Sequence, residues 1–211
     1  GLTLGSSNQA TLAVTQNLVD PITSSGAAAV TAISSAAATV NIAKNKIYDL
    51  SGTNAGSTVN GILVTAGTTV TVANNLIGNL TAPAASGADV IRGISSTSTT
   101  ATSNLNVSFN TIYLNASSTG TNFGSSVVVH TTSATATTAA LNLRNNIIVN
   151  ASTPNGTGLT AAYRRSSTTL TNFGATSNNN LLYAGTPGAS RVIFYDGTNS
   201  DQTLGGYKSR V

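Results

Sequence analysis

The acidic residues of this chain are five aspartates, and two of them follow a recurring asparagine at similar distances. Asp20 comes three residues after Asn17, and Asp49 comes four residues after Asn45. If the two asparagines occupy equivalent places in successive repeats, these carboxylates lie near each other, as the acidic pair of a glycosidase must. Both aspartates fall in turn sequences, so we interpret them as a solvated pair and predict no catalytic residue.

A second set consists of basic residues late in the third, fourth and fifth repeats. It consists of Arg92, His130, Arg164 and Arg165. Each follows a recurring asparagine by 17 to 20 residues, which predicts an outward polar column if the chain is coiled. Such a column would bind an acidic glycan, with the histidine titrating near neutral pH. The alternative is a solvated face in which Arg165 pairs with Asp196, and an ion pair of that kind stabilises little. The sequence favours the solvated face and leaves glycan binding as the alternative.

The chain contains few residues that could bind a metal ion or act as a catalytic nucleophile. The chain has no Cys and one His, so it offers no thiolate ligand and no convincing Ser–His–Asp set. A Ca²⁺ site needs several clustered carboxylates, and the five aspartates are scattered. We therefore predict no metal site, no cofactor and no enzymatic activity.

The elements that position these residues form a repeat. Six segments share the pattern apolar, any, apolar, any, any, Asn, any, apolar; they are 12–19, 40–47, 70–77, 105–112, 141–148 and a degraded 175–182. The recurring residues are Asn17, Asn45, Asn75, Asn110, Asn146 and Asn180, at spacings of 28, 30, 35, 36 and 34 residues. Periods in this range indicate stacked repeats, in which neighbouring units close a common core.

Each repeat contains short alternating apolar runs separated by Gly/Ser/Thr-rich turns. Val40 and Ile42 share one face, Asn45 interrupts the run, and Gly61 to Val64 form a second short run. Strands this short are unstable as isolated hairpins, so we expect equivalent strands to stack in parallel from turn to turn. The asparagines would then form a structural ladder at a bend, where Asn tolerates a left-handed conformation.

The asparagine segments resemble the right-handed parallel β-helix repeat family, whose coils often read N-N-x-I. The matching pieces are Asn45-Lys46-Ile47-Tyr48, Asn74-Asn75-Leu76-Ile77, Asn110-Thr111-Ile112-Tyr113, Asn145-Asn146-Ile147-Ile148 and Asn179-Asn180-Leu181-Leu182-Tyr183. The resemblance covers about residues 10 to 195. It implies an all-β fold, a right-handed single-stranded parallel β-helix (solenoid) of about six coils. We expect repeats over residues 1–196, with 197–211 as a C-terminal cap or a linker to a following domain.

The closing stretch 191–208 is similar to the end of such modules in very large secreted surface proteins of Bacteroidota. Those proteins are exported by the type IX system, so the resemblance implies secretion or display on the bacterial cell surface. Residues 1–9 and 197–211 are expected to pack over the ends of the rod or to continue into neighbouring domains, because open β edges invite aggregation.

Composition excludes several other classes. Only 7% of the 211 residues are charged, and the formal charge of +4 comes from scattered basic residues, which argues against a nucleic-acid groove. No apolar window is long enough to span a membrane. We expect a non-enzymatic structural or adhesive module whose partners are neighbouring domains of the same polypeptide and surface glycans. The alternatives are a polysaccharide lyase or hydrolase and a glycan- or ice-binding surface.

The ice-binding alternative depends on threonine clusters that precede several first strands. These are Thr39, Thr68-Thr69, Thr99-Thr100, Thr135, Thr137-Thr138 and Thr168-Thr169. A regular Thr-any-Thr rank is missing from them, and outward threonine is also simply a good strand residue. Tyr48, Tyr113 and Tyr183 each lie three residues after a repeat asparagine, but Gly78 and Val149 interrupt that file.

Overall fold

A computed structural model describes residues 1–4, 11–99, 103–130 and 140–211. The described residues form 22 strands and one helix, and almost every strand is short. In chain order the strands are β1 (Leu2–Leu4), β2 (Leu12–Thr15), β3 (Leu18–Val19), β4 (Ile22–Ser24), β5 (Val30–Ser35), β6 (Thr39–Ala43), β7 (Lys46–Ile47), β8 (Leu50–Gly52), β9 (Val59–Val64), β10 (Thr69–Ala73), β11 (Leu76–Gly78), β12 (Leu80–Thr81), β13 (Gly87–Ser96), β14 (Asn104–Ser108), β15 (Thr111–Leu114), β16 (Phe123–His130), β17 (Ala140–Arg144), β18 (Ile147–Asn150), β19 (Thr160–Arg165), β20 (Leu181–Tyr183), β21 (Arg191–Tyr195) and β22 (Ser200–Asp201). The helix, α1, spans Leu204–Arg210.

Equivalent strands of successive turns pair side by side and form four sheets. Sheet A has the order β1-β5-β9-β13-β16-β19-β21-β22; sheet B, β17-β14-β10-β6-β2; sheet C, β20-β18-β15-β11-β7-β3; and sheet D, β12-β8-β4. Every strand pair is parallel except β21 with β22. The predicted parallel β-solenoid of about six turns is confirmed, and its right-handed winding stays a prediction.

The core consists of apolar columns that run along the solenoid axis. In sheet B, Val40, Val70, Leu105 and Leu141 are in register and no more than 2% exposed. In sheet C, a second file is buried in the same way: Ile47, Ile77, Ile112 and Ile148. These residues are the apolar positions of the sequence repeat, so alternation along each strand places them inside and the intervening polar residues outside.

The bend between sheets B and C differs in one respect from the prediction. The left-handed residue is the one before each repeat asparagine and not the asparagine itself. The positive-φ residues at this bend are Gln16, Lys44, Asn74, Phe109, Asn145 and Asn179, with φ between 54° and 61°. Because the preceding residue makes the turn, the asparagine keeps an ordinary backbone conformation and directs its amide along the axis.

The C-terminal segment packs on the last turn. β22 pairs antiparallel with β21, and α1 places Tyr207 against Phe194 with ring centroids 5.7 Å apart. Arg210 donates two hydrogen bonds to the carboxylate of Asp201, at 2.5 and 2.9 Å. At the other end β1 pairs with β5, and Leu2 is in register with Ile33. Residues 5–9, which we expected to help cover this end, lie outside the described residues.

Candidate functional site

The six repeat asparagines form a single hydrogen-bonded file along the axis. Each one from Asn17 to Asn146 donates its backbone N–H and its Nδ2–H to the Oδ1 of the asparagine one turn later. All ten of these bonds measure 2.9–3.0 Å. Asn45, Asn75, Asn110 and Asn146 are no more than 2% exposed. The file therefore joins every described turn of the solenoid to the next.

The amides of the central asparagines use all of their hydrogen-bonding capacity. Besides the bond to the next turn, the Nδ2 of Asn75 donates to the carbonyl of Ile42 at 2.9 Å, and that of Asn110 donates to the carbonyl of Val72 at 2.9 Å. With two bonds donated and two accepted, a buried amide leaves no polar atom unpaired. This arrangement holds the turns together and performs no chemistry.

Two of the four predicted binding residues meet on the outer face of sheet A. Arg92 lies on β13 and Arg164 on β19, and both contact Asp89, which sequence reasoning did not assign to the site. The Asp89 carboxylate accepts a hydrogen bond from Arg92 Nε at 2.9 Å and lies 3.5 Å from Arg164 Nε. Ser126 connects them, since its Oγ donates to Asp89 at 2.5 Å and accepts from Arg164 Nε at 2.8 Å.

A groove of about 360 Å³ opens beside this cluster. Its wall is formed by Asp89, Arg92, Ser95, Thr97, Val129, Arg164, Arg165, Ser166, Tyr195 and Gly197. The Arg164 guanidinium lies over the ring of Tyr195, 5.0 Å from its centroid, so a cation–π contact fixes that side chain. The guanidinium groups of Arg92 and Arg164 and the carboxylate of Asp89 line the groove, which gives it a net positive charge.

The other two predicted binding residues are buried and do not belong to an outward column. His130 and Arg165 are in register on β16 and β19, with 0% and 1% of their surfaces exposed. Arg165 follows Arg164 directly, so the strand pleat directs the two arginines to opposite faces. Arg165 Nη1 donates to Tyr163 Oη at 2.9 Å and lies 3.3 Å from His130 Nδ1. A guanidinium only donates, so Nδ1 accepts and the imidazole carries its proton on Nε2.

The alternative interpretation of Arg165 is also wrong, because no ion pair joins it to Asp196 among the described residues. Arg165 donates instead to Asn172 Oδ1 at 2.5 Å and to the carbonyl of Thr169. Asp196 accepts from the backbone N–H groups of Thr198 and Asn199. Burial by itself would raise the pKa of Asp196, but hydrogen bonds from Asn199 and Thr198 outweigh it, and the pKa is lowered.

Asp20 and Asp49 do meet, at the corner where sheet C gives way to sheet D. Loss of water around the carboxyl, followed by the hydrogen bond and the charge of Asp49, raises the pKa of Asp20, while a hydrogen bond from Tyr48 lowers it. Asn79, one turn later, donates to Asp49. The pair lies on an exposed turn. No group of three His, Cys, Asp or Glu residues able to hold a metal ion occurs in the described part of the chain.

The outer face of sheet C carries several exposed apolar side chains. One outward row reads, in register, Leu18, Lys46, Leu76, Thr111, Ile147 and Leu181. Its four apolar members are each at least 47% exposed, and Lys46 and Thr111 interrupt them. In the next outward row, Tyr113 and Tyr183 are separated by Val149, so their rings form no continuous stack. Each exposed leucine or isoleucine directly follows a repeat asparagine, and that spacing would have revealed the row in the sequence.

The threonine clusters do not make a continuous rank. Thr39 and Thr69 are in register, but the next two residues of that row are Asn104 and Ala140. Thr100, Thr135, Thr137 and Thr138 lie outside the described residues.

Compared with protein-family models, with curated proteins and with solved structures, the chain gives no match. Within the described ranges, no helix has the length and apolar character needed to cross a membrane.

Proposed function

We propose that this chain is a non-enzymatic structural and adhesive module of a large secreted or cell-surface bacterial protein. The observation that carries the proposal is the asparagine file, which joins all six repeats from Asn17 to Asn180. Six turns at about 4.8 Å give a rod of about 29 Å. Bending or stretching such a rod requires the main-chain hydrogen bonds of the sheets and the side-chain hydrogen bonds of the asparagine file to break together, so stiffness follows from the fold.

Composition supports an extracellular location. The chain has no Cys, so an oxidising compartment cannot form a wrong disulfide in it, and its 7% of charged residues leave a surface solvated mainly by Ser, Thr and Asn. The resemblance of stretch 191–208 to modules of Bacteroidota type IX substrates supports the same assignment. Neighbouring domains of the same polypeptide would be its covalent partners. Labelling of intact cells by an antibody against this chain tests the location, and labelling only after lysis contradicts it.

The absence of enzymatic activity is part of the proposal. The Asp20–Asp49 pair is the best acidic candidate, but these are only two carboxylates on an exposed turn. A reducing-end assay on acidic and neutral polysaccharides tests this point. Turnover that disappears in both Asp20→Asn and Asp49→Asn would establish a polysaccharide-active enzyme instead.

Single-molecule force spectroscopy tests the structural role. We expect the chain, pulled between its ends, to resist extension and then to lose turns in discrete steps, because the strand pairing of each turn involves only its neighbours. Asn75→Ala should lower the unfolding force, since it interrupts the file at its centre. Asn41→Ala is the matched control, because Asn41 points outward in the adjacent strand and makes no side-chain hydrogen bond among the described residues. Smooth extension at low force would contradict the proposal.

A further inference from the structure

We propose that the groove on the outer face of sheet A binds an acidic saccharide through the carboxylate groups of its uronic acid residues. This inference rests on the adhesive part of the proposed function and is independent of the rod's stiffness. The groove crosses β13, β16, β19 and β21, which is three strand spacings or about 14 Å. That length suits a short stretch of an extended chain better than a single small ion.

The positive charge of the groove is incompletely neutralised. Asp89 is the one carboxylate in its lining, and it faces Arg92 and Arg164 together. Each of these arginines uses Nε and one Nη2 hydrogen in bonds to protein atoms, namely to Asp89, Ser126 and the carbonyl of Ala88. Because a guanidinium has five N–H donors, each retains three with no acceptor in the described residues. Carboxylates accept such donors in pairs with good geometry.

One buried polar atom in the same lining also has no partner. The Oγ of Ser95 makes no hydrogen bond, and Ser95 is in register with Val129 and Arg164 on this face. Ser95 is 0% exposed, so its unpaired hydroxyl costs free energy. A ligand hydroxyl that reaches it from the groove would satisfy it, and this observation is independent of the surface charge.

Several features favour a saccharide over an acidic peptide. β13, β16 and β19 are paired on both sides, so no strand edge in the groove can pair with a peptide main chain. The lining also carries the hydroxyl groups of Ser95 and Thr97, next to the Tyr195 ring. Hydroxyl groups and an aromatic edge match a polyhydroxylated ligand that carries spaced carboxylates.

Isothermal titration calorimetry with four probes tests the inference. The probes are trigalacturonic acid, the neutral trisaccharide cellotriose, triglutamate and sodium sulfate. We expect trigalacturonic acid to bind and the other three to bind at least about tenfold more weakly, because charge-assisted bonds to the fixed arginines require spaced carboxylates and the buried Ser95 hydroxyl requires a sugar hydroxyl. Equal binding of cellotriose, triglutamate or sulfate would overturn the proposal, triglutamate by favouring a peptide site and sulfate by indicating an adventitious ion only.

Three variants locate the site. Arg92→Gln should weaken trigalacturonic acid binding about tenfold, and the exposed Arg144→Gln on sheet B is the charge-matched control that should not change it. Ser95→Ala removes a hydroxyl with no protein partner, so it should weaken binding about fivefold while the melting temperature of the free protein stays the same or rises. Unchanged affinity in both Arg92→Gln and Ser95→Ala would overturn the groove assignment. If trigalacturonic acid does not bind but the wild type unfolds only at high force, the saccharide site is excluded and the structural role stands.

Discussion

Asn75 Oδ1 accepts two hydrogen bonds from Asn45, one from its backbone N–H at 3.0 Å and one from its Nδ2 at 2.9 Å. The amide of Asn75 in turn donates to the carbonyl of Ile42 and to the Oδ1 of Asn110, both at 2.9 Å. One side chain thus satisfies groups in the turn before and the turn after its own. No other side chain has this set of donors and acceptors in so small a volume, so the position tolerates only asparagine.

Asn75→Ala is expected to destabilise the fold by about 2–4 kcal/mol, because the change leaves buried groups of Asn45 and Ile42 without partners. Urea denaturation of the variant and the wild type measures the difference. The matched control is Asn41→Ala, which should cost less than about 1 kcal/mol because that half-buried side chain makes no hydrogen bond among the described residues. Equal losses for the two variants would show that the file contributes no special stability.

Phe109→Asn is expected to stabilise the protein by about 1 kcal/mol relative to Phe109→Ala. Phe109 has a φ of 57° and is 57% exposed, so its backbone is strained while its ring gains little from burial. Asparagine tolerates this conformation, as Asn74 and Asn145 do at the same position of their turns. Alanine removes the ring but keeps the backbone strain, so the difference in stability between the two variants reports the strain alone. Equal free energies of unfolding for the two variants would exclude a contribution from strain.

The fold was predictable because the repeat encodes it twice. Apolar positions such as Val70 and Val72 fix which face of a strand is buried, and the asparagine three residues after Val72 fixes the register between turns. The double asparagine of Asn74-Asn75 contains a further signal. Its first member takes the left-handed bend and its second member takes the ladder, and the sequence interpretation merged the two roles into one residue.

The site was harder to predict because the distance from the repeat asparagine does not determine which way a side chain points. Arg164 and Arg165 differ by one position, and the pleat places one in the groove and buries the other. Asp89 was recognisable only by its place three residues before Arg92. The orphaned hydroxyl of Ser95 has no sequence signature, since burial and unmet hydrogen bonds arise only when the neighbouring turns are in place.

Asp20→Asn is expected to raise the melting temperature near about pH 7 and to have no effect near about pH 3. Loss of water and the neighbouring Asp49 raise the pKa of Asp20 above 3.8, so the folded state binds more protons than the unfolded state. Wild-type stability therefore falls as pH rises through this range, and asparagine removes that dependence. Differential scanning calorimetry at the two pH values measures it.

Asp196→Asn is expected to change the melting temperature in the opposite direction in the same experiment. The lowered pKa of Asp196 means that its contribution to stability is present above 3.8 and disappears as pH falls. This variant should melt at a lower temperature than the wild type near about pH 7, and the two should converge in acid. Shifts of the same sign for Asp20→Asn and Asp196→Asn would contradict both assignments.

Alkaline pH should unfold the protein through its buried tyrosines. Burial raises the pKa of Tyr163 from 10.0 to about 12, although Arg165 partly opposes it. The neutral phenol is therefore favoured in the folded state, and on the order of 3 kcal/mol of stability is lost as pH rises from about 10 to about 12. Tyr163→Phe should flatten this dependence, whereas Tyr113→Phe, at an exposed position, should not. Identical slopes for both variants would exclude Tyr163 as the source.

Removal of residues 197–211 is expected to increase self-association. Tyr207 of α1 covers Phe194 and lies 6.4 Å from the ring of Phe173, so deletion exposes this aromatic cluster and frees the edge of β21 for pairing with another chain. Static light scattering over a concentration series should show a rising average mass for the deletion variant. Lys208→Ala, an exposed change on the same helix, should remain like the wild type. Tyr207→Ala exposes the aromatic cluster but keeps the β21 edge covered. Self-association by the deletion variant and not by Tyr207→Ala would therefore assign the effect to the strand edge. An unchanged mass for both variants would show that this segment does not protect the end of the rod.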